Sequence, residues 1–265
     1  GWIYLRIFIS KTMKKIFFFS AILLFAACNK EKYFDGPNQF SDDFESYNQF
    51  EELFGDDDLL WSFYQSTFTE NNIEVDTTFA HTGTHSIKST AMASNDELGA
   101  SKSSYSKQNM AFWEGEIMVV SAWYYLVGEA DAQWIFFMDL EEQAAIGAGP
   151  GMRLAMVDNA IRVEHKFLNP DIIQPEGQEV LFPRNQWVQL TFETKLSQKK
   201  DGYVKIYQDN QLIIEQYNWK TLPTDLLYFQ QGTKGMYSSI EFGITANSFD
   251  NDMVLYVDDV EAYVK

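Results

Sequence analysis

The acidic group that comes nearest to a pair of catalytic carboxylates is Asp139, Glu141 and Glu142, at the end of an apolar and aromatic run. Hydrolysis of a glycosidic bond uses two carboxyl groups about 5 Å apart, or somewhat farther apart when the anomeric carbon is inverted. This group lacks that spacing and has the character of a charged strand end that enters a loop. The sequence also contains no G-x-S-x-G nucleophile elbow, no phosphate-binding loop and no metal-hydrolase spacing.

Three histidines could transfer protons near neutral pH. His81 and His85 lie in a turn-like segment, whereas His165 lies in a run with strand character and could face one side of a sheet. We regard His165 and Tyr237 as weak catalytic candidates. The competing interpretation of His165 is an ordinary strand residue that pairs with its neighbours.

The single cysteine, Cys28, follows a basic pair (Lys14-Lys15), a run of apolar residues and two alanines. This order is typical of a signal peptide, and about ten apolar residues are too few for a hydrocarbon core that needs roughly 20. The string LFAAC resembles the lipobox of bacterial lipoproteins, which implies that Cys28 becomes the first mature residue and carries a lipid. We therefore expect a protein anchored in the bacterial envelope, at the outer membrane or cell surface. The residues before Met13 are expected to be upstream translation.

The composition favours one acidic domain. The chain has 20 basic and 38 acidic side chains, for a formal net charge of −18, which argues against a nucleic-acid partner. The acidic residues are spread through loops, as on a solvated surface, and a lone cysteine supplies no disulfide framework. Stability must therefore come from a hydrophobic core, for which the length suffices.

The chain divides into residues 1–27 (upstream residues and signal peptide), a polar tether over 28–39 and one domain over 40–265. In the domain, short runs of β-branched and aromatic residues between Gly, Asn, Asp or Pro predict strands. Asp158-Asn159 and Asp209-Asn210 suit two-residue hairpin turns, and short helical turns are expected near 49–54 and 222–227. The nine predicted strands are Met118–Val127, Gln133–Leu140, Met152–Val157, Ala160–Lys166, Trp187–Leu196, Tyr203–Gln208, Gln211–Tyr217, Ser238–Ala246 and Met253–Tyr263.

Several motifs carry a family resemblance. Phe44-Glu45, the stretch Ala80–Lys88, Val120–Trp123 and Asp258-Asp259-Val260 resemble, in this order, carbohydrate-binding modules of families 4, 9 and 22. The middle of the chain, with Trp187-Val188 and a hairpin around Asp209-Asn210, is similar to concanavalin A-like laminin-G and polysaccharide-lyase sandwiches. The resemblance implies an all-β fold: a jelly-roll β-sandwich of two antiparallel sheets, concanavalin A-like or galactose-binding-like.

The resemblance to the binding modules also implies a structural calcium ion held by Glu45, Asp258 and Asp259. Calcium takes six to eight oxygen ligands from carboxylates and backbone carbonyls. In a jelly roll the first and last strands lie side by side, so these carboxylates can meet the turn at Thr82-Gly83-Thr84. The alternative is that the two aspartates cap the sheet end in solvent.

Alginate and heparin lyases of this fold type carry a Q-x-H strand and a Y-x-K-x-G-x-Y strand. The corresponding stretches here are Trp134–Asp139, which lacks the histidine, and Tyr228–Tyr237, which keeps part of the tyrosine motif. We therefore expect a non-catalytic, lipid-anchored protein that binds a poly- or oligosaccharide. The alternatives are a polysaccharide lyase or glycoside hydrolase of the same fold, and a structural or adhesion subunit of the envelope.

Sugar-binding folds use aromatic rings as platforms and amides or cations to fix orientation. We expect the sugar to lie on an aromatic-lined concave sheet. The expected rings are Trp123, Tyr125 and Trp134, and the weaker polar candidates are Gln133, Arg153 and Gln189.

Overall fold

The computed structural model describes residues 32, 35–55, 60–144, 147–148, 151–166, 168, 170–223 and 234–265. Within these residues the chain forms strands and one short 3-10 helix, Phe50–Leu53. The strands are β1 (Gln39–Asp42), β2 (Phe63–Ser66), β3 (Asn72–Asp76), β4 (Ser86–Ala91), β5 (Ser101–Lys107), β6 (Phe112–Trp113), β7 (Ile117–Leu126), β8 (Trp134–Glu141), β9 (Gln143–Ala144), β10 (Gly147–Ala148), β11 (Met152–Val157), β12 (Ala160–His165), β13 (Trp187–Lys195), β14 (Gly202–Gln208), β15 (Gln211–Trp219), β16 (Met236–Tyr237), β17 (Ser239–Asn247) and β18 (Met253–Val264).

Two large antiparallel sheets form a sandwich. One has eight strands in the order β15-β14-β13-β7-β18-β4-β3, with β1 also paired to β18, and the other has six in the order β12-β11-β8-β17-β5-β2. The all-β sandwich predicted from the sequence is confirmed.

The nine predicted strands correspond to β7, β8, β11 to β15, β17 and β18, with ends that agree within two residues. Both predicted hairpin turns are present: Asp158 and Asn159 have φ of 51° and 63°, and Asp209 and Asn210 have φ of 48° and 65°. Positive φ at both positions is the type I′ geometry that matches the twist of the flanking strands. The predicted short helix near 49–54 is also present.

The core lies between the two sheets, and strand alternation decides which side chains leave it. Met138 and Leu140 of β8 are buried in the core, so Asp139 between them points to the outer face of the six-stranded sheet. Ile240 and Phe242 of β17 flank Glu241 in the same way. The outer face of the six-stranded sheet therefore receives both carboxyl groups.

The outer face of the eight-stranded sheet is covered at β7 by the segment that follows β3. The His81 ring stacks on Trp123 with centroids 3.6 Å apart, and the Phe79 ring meets Tyr125 at 4.8 Å and Trp187 at 5.5 Å. This cover explains why β7 carries apolar residues on both sides of its pleat.

Some predictions lie outside the described residues: the leader with Cys28, most of the tether, and the segment 224–233 with the start of the tyrosine motif. In the part of the chain that is described, no helix has the length and apolar character needed to cross a membrane.

Candidate active site

A row of register partners crosses all six strands on the outer face of the six-stranded sheet. Each residue of the row lies opposite the next one on the neighbouring strand. From β12 to β2 the row is Glu164, Arg153, Asp139, Glu241, Ser106 and Phe63. Neighbouring strands are about 4.8 Å apart, so the row is a continuous line of polar groups that ends in an aromatic ring.

Two carboxyl groups lie side by side at the centre of this row. Asp139 and Glu241 are register partners and are only 2% and 4% exposed. Burial, followed by the negative charge of Asp139, raises the pKa of Glu241 to about 7. In addition, Oδ1 of Asp139 is buried without a hydrogen-bond partner. Glu241 is thus a carboxyl group that gains and loses a proton near neutral pH, as a general acid or base requires.

Glu241 is held in place by donors from β5, the strand next to β17, and from β2, the strand beyond it. Its Oε1 accepts a hydrogen bond of 2.9 Å from Nε2 of Gln65 on β2 and another from the hydroxyl of Ser104 on β5. Both donors point at the same oxygen. The side chain is therefore oriented before any substrate arrives, which an efficient proton-transfer group needs.

Two basic side chains, Lys166 and Arg153, lie on the Asp139 side of the carboxyl pair. Nζ of Lys166 lies 3.3 Å from Oδ2 of Asp139 and also contacts Glu141. Burial lowers the pKa of Lys166, but the charges of Asp139 and Glu141 outweigh that effect and raise it, so the amine stays protonated. Arg153 lies opposite Asp139 on β11, and its Nε is 3.3 Å from Oε2 of Glu164.

The guanidinium of Arg153 also packs 4.2 Å from the centroid of the Phe136 ring, a cation–π contact. Phe136 in turn stacks on Trp134, with centroids 4.9 Å apart. Two cations and an oriented carboxyl group of near-neutral pKa can together hold an anionic group and move a proton beside it.

The residues predicted to bind sugar do not come together. Gln133, Trp134 and Arg153 belong to the six-stranded sheet or its edge, whereas Trp123 and Tyr125 lie on β7 of the eight-stranded sheet and Gln189 lies opposite Trp123 on β13. One face of Trp123 is already covered by His81, and Tyr125 is packed in the aromatic cover around Phe79.

The two weak catalytic candidates do not share the outer face with Glu241. His165 alternates with Glu164 and Lys166, so its ring points to the interior, where Nε1 of Trp219 donates to its Nε2 at 3.1 Å. Burial lowers the pKa of His165 to about 4, which keeps the ring neutral. Tyr237 is fully buried, and its hydroxyl donates to the Thr221 carbonyl at 2.6 Å. Both side chains act as buried hydrogen-bonding groups, as the ordinary interpretation of His165 expects.

The predicted convergence of carboxylates on the turn after β3 is present. Oε1 of Glu45 accepts hydrogen bonds from the backbone amides of Thr84 at 2.7 Å and His85 at 2.6 Å. Oδ2 of Asp258 accepts from the amides of His81 at 2.7 Å and Thr82 at 3.2 Å. These bonds join both ends of the domain to one turn.

Asp259 completes the same cluster through side chains: it contacts Nδ1 of His81 at 2.6 Å and accepts from the Thr82 hydroxyl at 2.8 Å. Backbone N–H groups, which cannot ligate calcium, thus occupy oxygens of Glu45 and Asp258, and the His81 ring and the Thr82 hydroxyl contact Asp259. No group of three or more His, Cys, Asp or Glu suited to a metal ion occurs among the described residues. A calcium ion takes six to eight oxygen ligands, so it would have to displace some of these hydrogen bonds. Calcium remains a prediction, to be tested by whether a chelator lowers the melting temperature.

Sequence reasoning missed the pair Asp139–Glu241 and its supports Gln65, Ser104 and Lys166. One signal was available: both acids interrupt strands that are otherwise mostly apolar, in WIFFMDLE and SIEFGITAN. A charged residue inside such a run is costly to bury unless it has partners. Its partner, however, lies on another strand far away in the sequence.

The structure resembles several solved proteins. An endo-β-1,4-glucuronan lyase from the fungus Trichoderma reesei aligns with a TM-score of 0.60 at 15% identity, over 77% of this chain and 91% of that one. The cellulose-induced protein Cip1 aligns with 0.58 at 18% identity, over 84% and 96% of the two chains. The alginate lyase Aly36B aligns with 0.53 at 10% identity, over 86% and 98%. At these identities the likeness shows the shared fold. No curated protein sequence matches the chain.

The prediction of a non-catalytic glycan-binding protein is wrong. Residues 43–261, which are nearly the whole predicted domain, match the family model described as polysaccharide lyase. The absence of the histidine from the β8 stretch did not exclude a lyase, because the outer face carries another group, Glu241, whose pKa of about 7 suits proton transfer. The match covers well over half of the chain, and the chain belongs to the polysaccharide lyase family.

Proposed function

We propose that the protein is a catalytic polysaccharide lyase that cleaves an acidic, uronate-containing polysaccharide by β-elimination at the outer face of the six-stranded sheet. The observation that carries the proposal is the oriented, buried Glu241 with a pKa of about 7, which lies beside Asp139 and has Lys166 and Arg153 on the Asp139 side of the pair. Glucuronan and alginate, for which two of the structural neighbours are named, are polymers of uronic acids.

In this reaction a base removes the proton on the carbon next to the uronate carboxylate. The electron pair forms a carbon–carbon double bond as the bond to the glycosidic oxygen at the next carbon breaks, and the leaving oxygen takes up a proton. No water is consumed. The developing negative charge is delocalised onto the uronate carboxylate, so cations placed against that carboxylate lower the barrier.

The residues of the row supply these roles. Lys166 and Arg153 bind the uronate carboxylate and stabilise the charge that develops on it. Ionised Glu241 removes the proton and, once protonated, delivers it to the leaving oxygen. Asp139 raises the proton affinity of Glu241, and Gln65 orients it.

The experiment follows the ultraviolet absorbance of the new double bond on a panel of acidic and neutral polysaccharides. We expect product from uronate polymers and none from neutral ones. Lys166→Met should lower kcat/KM at least about a hundredfold, whereas Lys199→Met, which removes an exposed amine away from the site, should leave it unchanged. Equal activity of Lys166→Met and the unmodified protein would contradict the assigned role.

We also propose that the enzyme is held in the bacterial envelope, at the outer membrane or cell surface, by a lipid on Cys28. The order of basic, apolar and small residues before this cysteine supports the proposal. Replacement by Cys28→Ala should move the protein from the membrane fraction to the soluble fraction. Unchanged fractionation would contradict it.

A further inference from the structure

We propose that the outer edge of β2, the last described strand of its sheet, forms a distal subsite, in which Phe63 binds one sugar ring of the substrate by stacking and without an ionic contact. The inference rests on the proposed lyase function and names a binding residue outside the proton-transfer centre.

Phe63 lies on the same face of the sheet as Glu241. Phe63 lies opposite Ser106, and Ser106 lies opposite Glu241, so all three share the outer face in one row. Two strand spacings separate the backbones of Phe63 and Glu241 by about 9.6 Å. An extended glycan that crosses the strands with its scissile bond at Glu241 thus reaches Phe63 about two sugar units away.

Phe63 is accessible and borders a cavity. Its side chain is 46% exposed, and a cavity of about 590 Å³ runs along the edge of β2 beside it. Gln65 lines this cavity and also donates a hydrogen bond to Glu241, so this one side chain connects the edge of β2 with the proton-transfer centre. The lining residues are Phe54, Ser62, Phe63, Tyr64, Gln65, Ser66 and Thr67.

The chemistry of the lining indicates the occupant. Although the chain has a net charge of −18, none of the described residues that line this cavity is charged. An exposed aromatic ring among hydroxyl and amide groups suits a pyranose, whose apolar C–H face packs on the ring while its hydroxyl groups form hydrogen bonds. The described lining offers no cation to pair with a carboxylate, so the subsite binds the sugar ring and not its charge.

Strand β2 is held in place by packing and by strand pairing. Tyr64, the neighbour of Phe63, packs against Phe50 and Phe54, with both ring centroids 5.4 Å away. The adjacent strand β5 holds β2 in register from Phe63 to Ser66. Sugar binding therefore needs little ordering of the protein.

The test compares Phe63→Ala with the matched control Phe249→Ala, which removes a similarly exposed ring (53%) from the turn between β17 and β18. For a long uronate polymer, Phe63→Ala should raise KM about tenfold, the equivalent of one aromatic contact, with kcat nearly unchanged. The ratio of the KM of Phe63→Ala to the KM of the unmodified protein should not depend on salt, because no ion pair is lost. Phe63→Trp, which keeps a stacking surface, should restore KM, and melting curves exclude misfolding.

A second readout is retention on affinity gels, measured in proteins that also carry Glu241→Gln so that the polymer is not cut. If the unmodified protein cuts polymer and Phe63→Ala matches it in both KM and retention, the subsite is overturned and the lyase function stands. If no polymer is cut but retention is lost in Phe63→Ala, the lyase function fails and sugar binding at Phe63 stands. If uronate polymers are neither cut nor retained, both are overturned.

Discussion

Asp139 and Glu241 lie directly opposite each other on β8 and β17, both buried and both on the outer face of the six-stranded sheet. Two carboxyl groups in this arrangement cannot both ionise cheaply, so one of them retains a proton to a higher pH. Glu241 is the group whose pKa is raised to about 7. The fold thus builds a neutral-pH proton-transfer group from two acidic residues of ordinary reactivity.

The hydroxyl of Ser104 sets the pH range of the reaction. It donates a hydrogen bond to Oε1 of Glu241 and so stabilises the ionised form. Ser104→Ala should raise the pKa of Glu241, and the acidic limb of the kcat/KM profile should move up by about one pH unit. A profile over pH 5 to 9 measures this shift.

Ser106→Ala is the matched control for this substitution. Ser106 lies on the same strand and face, but its hydroxyl donates to the Phe63 carbonyl at 3.5 Å. In Ser106→Ala, the acidic limb of the kcat/KM profile should stay at the same pH as in the unmodified protein. A shift of equal size in both variants would show that the change does not pass through the hydrogen bond to Glu241.

Glu241 also makes stability depend on pH. Its pKa is raised from 4.5 to about 7 on folding, so the folded state binds the proton more tightly than the unfolded state. The free energy of unfolding should therefore fall as pH rises from about 4.5 to 7, by on the order of 3 kcal/mol for this group. Above pH 7 the contribution is constant.

Urea unfolding at pH 5 and pH 8 measures this effect, and Glu241→Gln should remove most of it. Asp258, whose pKa burial and Asp259 raise to about 6, acts in the same direction in both proteins. The quantity to compare is therefore the change in the free energy of unfolding between pH 5 and pH 8, measured in the unmodified protein and in Glu241→Gln. The same pH dependence in both would exclude Glu241 as its source.

Strand periodicity and turn chemistry predicted most of the fold. Asp158-Asn159 and Asp209-Asn210 fixed two hairpins because both residue types accept positive φ. Strand β5 was missed because its sequence, SKSSYSK, has almost no apolar alternation. Its serines are buried because they bond to neighbouring groups; Ser103, for example, donates to the Thr90 carbonyl on β4.

The candidate site could not be predicted in the same way. Glu241 owes its raised pKa first to burial and then to the charge of Asp139, and it owes its orientation to Gln65. Asp139 and Gln65 lie on two strands that are distant from Glu241 in the sequence. Local patterns carry no information on such pairing. His165 stood out as a residue type, but alternation along β12 turned it inward.

The turn held by Glu45 should be sensitive to a single methyl group. Gly83 has φ of +60°, and a Cβ there would lie 2.4 Å from Oε1 of Glu45. Gly83→Ala should therefore cost the strain of positive φ and also displace Glu45 from the turn amides. Gly99 has φ of +79° with open space around it, so Gly99→Ala carries the strain alone. Gly83→Ala should be less stable than Gly99→Ala by at least about 1 kcal/mol in urea unfolding, and equal losses would contradict the role of Glu45.

The proposed mechanism requires Glu241 to transfer the proton of the β-elimination. The most direct measurement compares the rate of double-bond formation, followed by ultraviolet absorbance on a uronate polymer, in the unmodified protein and in Glu241→Gln. Glutamine keeps the size of the side chain but cannot exchange the proton, so the rate should fall about a thousandfold while retention on an affinity gel persists. Glu97→Gln, which changes an exposed loop carboxylate, should behave like the unmodified protein. If Glu241→Gln forms the double bond as fast as the unmodified protein does, Glu241 does not transfer the proton.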